Sequence, residues 1–189
     1  MKIILGSRSE GRQEMLREMG YEFEVMPADI DEKAIRRENP EELVLALANA
    51  KADALLPKIK RPAILITADQ VVAWNGEIRE KPESEEEAKE FLRTYYQAPA
   101  EVINGIVVMN TETGKRVSAV DSSRVYFKEI PEAALKQFAK LEHIYRRAGG
   151  FAIRDPLIQP YIEKVEGTDD SATGLPKELT ERLIREVKA

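Results

Sequence analysis

The chain has no cysteine and only one histidine, His143, among its 189 residues. Without cysteine there can be no disulfide, thiolate metal site or cysteine nucleophile. A single histidine removes multi-histidine metal sites and argues against a serine–histidine triad. His143, in Leu141-Glu142-His143-Ile144-Tyr145, reads as a structural residue near a helix end. Aromatic residues are sparse, at 6% with one tryptophan. No stretch approaches the ~20 apolar residues a membrane span needs. The opening Met1-Lys2-Ile3-Ile4-Leu5-Gly6-Ser7-Arg8 is too briefly apolar for a signal peptide. A cytoplasmic protein with no membrane partner is the expectation. Two common nucleotide devices are also missing: there is neither a Gly-x-x-x-x-Gly-Lys-Ser/Thr loop nor a Gly-x-Gly-x-x-Gly turn.

An excess of positive charge is lacking as well. Acidic residues outnumber basic ones, 34 to 29, for a net charge of −5. That balance argues against nucleic acid as a partner, since phosphate-backbone binding wants a basic footprint. It leaves room for a small anion in a local basic pocket. Much of the acidic excess lies in Glu83, Glu85, Glu86, Glu87 and Glu90, which read as the solvated face of a helix. There is no internal repeat, low-complexity tract or flexible linker, so residues 1–189 are expected to form a single domain.

The remaining pattern alternates helices with strands and then turns to hairpins. Ile3-Ile4-Leu5 reads as a short buried strand, followed by a helix over residues 10–19 that stops at Gly20. Asn39-Pro40-Glu41-Glu42 opens a second helix running to about Leu56. An apolar strand from Ala63 is expected to end at Ala68-Asp69-Gln70. Val71 to Trp74, Asn75-Gly76 and Glu77-Ile78-Arg79 then form a hairpin. Ser84 with Glu87 caps the acidic helix. Val102 to Met109, Val117 to Phe127, Phe151-Ala152-Ile153 and Tyr161 to Val165 read as strands, with helices opening at Pro131 and Pro176. The order implies an α/β fold on a mixed sheet.

Three constellations carry chemistry. In Gly6-Ser7-Arg8-Ser9-Glu10-Gly11-Arg12 a strand leads into a helix whose first amides are unpaired. Such a junction binds anions, and Arg12 adds a two-pronged phosphate donor. A plain capped helix start competes with that reading. Lys51 shares a helical stripe with Val44, Leu47, Ala48 and Leu55, so its amine lies on or beside the buried face. It either serves the site or snorkels to water. If it serves the site, methionine in its place is expected to leave the free protein as stable as before or more so, whereas a loss of stability with normal kinetics would mark the snorkelling, structural reading. Asp69 at a strand's carboxyl edge sits where open α/β sheets place ligands, with Glu32 and Lys81 as charged companions. One or two carboxylates beside substrate phosphates suit Mg²⁺, and a carboxylate there can orient or deprotonate water. A turn-forming aspartate is the plainer alternative.

Taken in order, Leu5-Gly6-Ser7 with Ser9 and Arg12, Asp31-Glu32, Lys51-Ala52, Ala68-Asp69-x-Val71-Val72, Glu80-Lys81-Pro82, Ala148-Gly149 and Gly167 to Gly174-Leu175-Pro176 resemble the Maf family of nucleoside triphosphate pyrophosphatases over essentially the whole chain. Arg79-Glu80-Lys81-Pro82 and Asp69-Gln70 look most like its eukaryotic branch. The resemblance implies two lobes on a mixed, twisted sheet around a deep central cleft, similar to the inosine triphosphate pyrophosphatase architecture, and a homodimer. It implies hydrolysis of a nucleoside triphosphate to monophosphate and pyrophosphate with a divalent cation, Mg or Mn. Carried over by position, Asp69 is the catalytic residue, Ser7, Ser9, Arg12, Lys51 and Lys81 bind substrate, and Glu32 with Asp69 holds the metal.

The chain departs from the family where the base is chosen. Ser9-Glu10-Gly11-Arg12 replaces Ser-Pro-Arg-Arg, Gln70 replaces a threonine, and Ile153-Arg154-Asp155 replaces Ile-Gln-Gly. Gly11, Gln70 and Arg154 are therefore the candidate specificity residues, Arg154 competing with a simple pair to Asp155. Tyr96-Gln97-Ala98-Pro99-Ala100 stands where a Ser-Gly-x-x-His segment is usual. The expected function is metal-dependent pyrophosphatase chemistry, with the housecleaning of modified nucleotides as its expected setting. The alternative is a non-catalytic nucleotide-binding regulator of cell division that kept the fold.

Overall fold

A computed structural model describes residues 1–189. In chain order the elements are β1 (Lys2–Leu5), α1 (Glu10–Glu18), β2 (Phe23–Val25), α2 (Pro40–Leu55), β3 (Ala63–Trp74), β4 (Glu77–Arg79), α3 (Glu85–Thr94), β5 (Ala100–Asn110), β6 (Arg116–Phe127), α4 (Glu132–Phe138), β7 (Ile162–Glu166), α5 (Asp169–Thr173) and α6 (Lys177–Lys188). The seven strands form one sheet in the order β2-β1-β3-β5-β6-β7, with β4 on β3. β1 runs parallel to β2 and β3, whereas β3/β4 and β6/β7 are antiparallel, so the sheet is mixed. The chain divides into two compact units. One comprises Met1–Asp69, Asn104–Asp121 and Gly174–Ala189, the other Gln70–Ile103 and Ser122–Thr173.

The first unit buries its strands on both faces, which is why Ile3-Ile4-Leu5 and Ala63-Ile64-Leu65-Ile66 are unbroken apolar runs. Ile3, Leu5, Ile64, Ile66, Ala68, Ile106 and Val108 meet Met15 and Leu16 of α1 and Leu183, Ile184 and Val187 of α6. The alternate residues Ile4, Ala63, Leu65, Val107 and Met109 meet Ala48, Ala52 and Leu55 of α2. Helix ends follow their local signals. Asn39 Oδ1 accepts from the Glu41 and Glu42 amides at 2.8 and 3.2 Å, and Ser9 Oγ from the Arg12 amide at 3.4 Å. Gly20, at φ +79°, takes the chain out of α1.

The second unit gathers much of the chain's sparse aromatic content. Tyr95, Phe127 and Phe151 pack with ring centroids 5.1 to 5.4 Å apart. The β3–β4 hairpin turns on Asn75 at φ 48° and Gly76 at φ 83°, the mirror-image turn that Asn-Gly favours.

Three differences from the sequence reading stand out. β3 does not end at Asp69 but continues to Trp74, so the carboxylate lies within a 12-residue strand. The parallel neighbour is what ends: β1 stops at Leu5, opposite Ile66. Phe151-Ala152-Ile153 is no strand, because Gly149 and Gly150 both have positive φ and a turn follows. Its apolar residues are buried from a loop. β2 is a three-residue, partly exposed edge strand that the sequence reading passed over, although Tyr21-Glu22-Phe23-Glu24-Val25 alternates apolar with acidic residues.

Gly105 of β5 sets how closely α2 approaches the sheet. A Cβ there would lie 2.6 Å from the carbonyl carbon and oxygen of Val44, which are backbone and cannot rotate away. Gly105→Ala is expected to push α2 outward and lower unfolding stability by about 3 kcal/mol, measured by urea denaturation.

Candidate active site

Asp69 belongs to the row of β3 that faces α2. Along that row Ala63 and Leu65 pack on the helix and Thr67 Oγ1 donates to the Ala48 carbonyl at 2.7 Å. The next residue in the row reaches the next polar position of the helix. Lys51 Nζ lies 2.5 Å from Asp69 Oδ1 and 2.8 Å from Glu32 Oε1. Glu32 comes from the one-turn 3₁₀ segment Glu32–Ala34, in which the Asp31 side chain accepts from the Lys33 amide. The Lys51 and Asp69 side chains are 10% and 11% exposed, that of Glu32 43%. Lys51 therefore does not snorkel; its ammonium closes onto two carboxylates.

The segment between β1 and α1 forms a second cluster in the same unit. Gly6 continues the ladder by donating to Ile66 O at 2.7 Å. Ser7 Oγ then accepts from the Ser9 amide and from Arg12 Nη1, both at 3.2 Å. A hydroxyl oxygen has two lone pairs, so with both engaged its remaining capacity is to donate its proton. Arg12 is buried and also donates from Nη1 to Ala68 O at 2.8 Å and from Nε to Gly174 O at 3.1 Å. The sequence suggested a phosphate fork. The geometry makes Arg12 a cross-tie holding Ser7, the carbonyl that precedes Asp69 and the approach to α6. Ser9 is half-buried at the helix cap, and Gly11 is buried in the first turn. Asp69 is thus gripped twice, through its side chain by Lys51 and through the peptide before it by Arg12.

Gln70, Lys81 and Arg154 lie in the second unit. Lys81 is exposed between two buried anchors, Arg79 and Pro82. Arg154 is exposed at the head of a turn in which Asp155 Oδ1 accepts from the Leu157 amide at 2.8 Å. The other oxygen of Asp155 pairs with His143 Nε2 at 2.5 Å.

The sequence reading gave Arg79 no role of its own and passed over Tyr95. Arg79 lies over the Trp74, Phe91 and Tyr95 rings, 4.0, 4.8 and 5.1 Å from their centroids. Burial raises the pKa of the Tyr95 phenol, with the Arg79 charge pulling it partly back. A signal existed: a two-residue Asn-Gly turn sets Arg79 opposite Val72 and so diagonal to Trp74.

The sequence profile described as Maf-like protein matches residues 2–187. A protein of Dictyostelium discoideum named 7-methyl-GTP pyrophosphatase is 41% identical over 98% of this chain and 96% of its own length. One of Carboxydothermus hydrogenoformans named dTTP/UTP pyrophosphatase is 33% identical over 100% of this chain and 98% of its own. A Synechococcus protein named nucleoside triphosphate pyrophosphatase is 30% identical over 98% and 93%. With the match running nearly from end to end, the chain belongs to the Maf family.

Proposed function

We infer that the chain is a nucleoside triphosphate pyrophosphatase, cleaving a triphosphate between its α and β phosphorus atoms. The observation that carries this reading is the shared ammonium: Lys51 Nζ within 2.8 Å of both Glu32 and Asp69, in a unit that also presents the Ser7 hydroxyl as a donor. A pure binding protein has little use for a carboxylate so firmly held. The oxygen of water bonds to Pα, the bond from Pα to the bridging oxygen breaks, and pyrophosphate leaves. Asp69 orients that water and accepts its proton. Lys51 shares its charge between Asp69 and the phosphates, and the Ser7 hydroxyl and Lys81 ammonium donate to phosphate oxygens. Arg12 keeps Ser7 and the Asp69 peptide in register.

The residues also fit a divalent cation. No group of three or more acidic or histidine side chains converges on a point. Mg²⁺ in triphosphate enzymes nevertheless uses only one or two carboxylates, with substrate phosphates and water completing its shell. Glu32 and Asp69, already drawn to one positive centre, would hold it. When bound, Mg²⁺ or Mn²⁺ supplies charge neutralisation for the triphosphate and the departing pyrophosphate.

For the base we favour a guanine-type purine. The relative sharing 41% identity is named for 7-methyl-GTP. Gln70 and Arg154 supply donor and acceptor groups suited to a purine edge, and Gly11 opens space where the family has an arginine. Methylation at N7 removes an acceptor and adds positive charge, so an arginine fork would read GTP but repel 7-methyl-GTP.

Pyrophosphate release should appear with guanine nucleotides and Mg²⁺ or Mn²⁺, and disappear with chelator. No release from any natural or modified triphosphate would overturn the enzyme reading, and tight binding without turnover would favour the regulator. A higher kcat/KM for 7-methyl-GTP than for GTP, unchanged in Arg154→Gln, takes that arginine off the base. A preference for UTP or dTTP over every purine removes Gly11, Gln70 and Arg154 as purine-selecting residues.

Asp69→Asn should keep the fold and lose more than tenfold in kcat, at least ~1.4 kcal/mol of barrier; retention of full turnover would clear Asp69 of the role. Lys51→Met is expected to behave differently from what the sequence alone suggests. It leaves two carboxylates facing each other without their shared cation, so unfolding stability should fall by about 2 kcal/mol, moderated by the exposure of Glu32. Added Mg²⁺ should raise the Tm of this variant more than that of the unaltered protein. An unchanged Tm difference with Mg²⁺ counts against Glu32 and Asp69 as metal ligands.

A further inference from the structure

Arg79 is a fully charged side chain placed among aromatic rings, only 3% exposed, in a hairpin whose turn and strand pairing do not require it. Burying a guanidinium is costly unless its donors are satisfied. Nη1 donates to Phe91 O at 3.2 Å and Thr94 Oγ1 at 2.7 Å, both in the last turn of α3, where a cation also complements the helix dipole. Nε and Nη2 reach Glu77 Oε2 at 3.3 Å, but Glu77 is 60% exposed and such a long surface pair contributes little. The side chain is therefore anchored chiefly to α3 and to the three rings around it.

The same rings lead back to the residues that follow Arg79. The Tyr95 hydroxyl donates to Gly149 O at 2.9 Å, and the Gly149 amide donates to Glu80 O at 2.9 Å. That carbonyl belongs to the peptide joining Glu80 to Lys81. Gly149 holds φ +69°, and a Cβ on it would lie 2.8 Å from the Tyr95 hydroxyl and 2.7 Å from Val72 Cγ2, so the loop fits only as glycine. On the other side of Lys81, Pro82 is buried against Gly150. A closed circuit results: Arg79 side chain, Tyr95 ring, Gly149 backbone, Glu80 carbonyl, and along the chain to Arg79 again. Lys81 projects from the one exposed stretch of this circuit.

We propose that Arg79 is a positioning residue for Lys81. By clamping the end of β4 to α3 and seating Tyr95 over Gly149, it holds the Glu80–Lys81 peptide so that the Lys81 ammonium is presented to substrate phosphate with little ordering left to do on binding. The proposal rests on the reading that Lys81 contacts phosphate. It also has a built-in reporter, since Trp74 is the only tryptophan and its ring lies 4.0 Å from the Arg79 guanidinium. Phosphate at Lys81 should therefore be felt in Trp74 emission.

The test is a double-mutant cycle on kcat/KM for the best nucleotide, combining Arg79→Leu with Lys81→Met, alongside titration of Trp74 fluorescence with inorganic pyrophosphate and Mg²⁺. Arg79→Leu is expected to lower kcat/KM about tenfold, mostly through KM, in the unaltered background. It should have less than a twofold further effect once Lys81 is methionine. Pyrophosphate should change Trp74 emission in the unaltered protein but not in either single variant. Arg79→Lys, which keeps the charge without the planar fork, should recover only part of the loss, and it takes the place of the leucine variant if that one fails to fold. Equal effects of Arg79→Leu in both backgrounds, or normal kinetics with a lowered Tm alone, would make Arg79 a purely structural residue and overturn the proposal. Normal kinetics in Lys81→Met would overturn it as well. If the unaltered protein turned over no triphosphate at all, the pyrophosphatase reading would fail separately. The fluorescence titration would then decide for Arg79: a response abolished by both variants supports it, and no response overturns it.

Discussion

A buried ammonium must be shared, and in this protein the sharing of Lys51 orders the surrounding structure. The helix that carries it packs through Ala48, Ala52 and Leu55 on one row of β3, and the same row delivers Asp69. Glu32 arrives from a single helical turn that buries none of its residues, and its carboxylate pairs with the lysine. The approach of α2 to the sheet is set by the absence of a side chain at Gly105 and by the Thr67 hydrogen bond to Ala48. With one positive and two negative groups, the cluster carries an excess negative charge. That suits a site whose proposed substrate arrives as a triphosphate accompanied by a cation.

Arginine performs a different task from lysine here. Arg12 and Arg79 are both buried, and both spend donors on main-chain carbonyls: Ala68 and Gly174 for the first, Phe91 for the second. A planar fork with five donors can join several acceptors at once and remains charged, whereas lysine offers a point charge on a flexible stem. In each unit an arginine ties down backbone close to a candidate lysine or aspartate. Removing a brace should alter the geometry of the site rather than its chemistry.

The candidate site residues divide between the two units. Ser7, Ser9, Arg12, Glu32, Lys51 and Asp69 all fall in the first unit, and most are joined by the hydrogen bonds and ion pairs described above. Gln70, Lys81 and Arg154 are in the second. Triphosphate chemistry needs fixed charges, which strands and helices supply with precision. A base can be chosen by exposed loop residues such as Arg154, where substitution is tolerated by the fold.

The sequence by itself determined what depends on near neighbours. The caps at Ser9, Asn39 and Ser84, the Gly20 stop and the Asn75-Gly76 turn were legible because the groups involved lie within a few residues of one another. The apolar stripe of α2 likewise showed that Lys51 lies on its inner side. Tertiary structure alone decided which groups meet across the chain. Asp69 became a mid-strand residue because β3 runs on past the end of β1, opposite Ile66, to Trp74, where it pairs with β4. Phe151 to Ile153 became a loop because Gly149 and Gly150 take positive φ against Tyr95 and Pro82. Arg12 became a brace because Gly174, 162 residues away, brings its carbonyl to the guanidinium. Periodicity and propensity register the preference of a segment for a shape. The choice of partner for a buried charge follows from desolvation, which is set only when distant segments have packed.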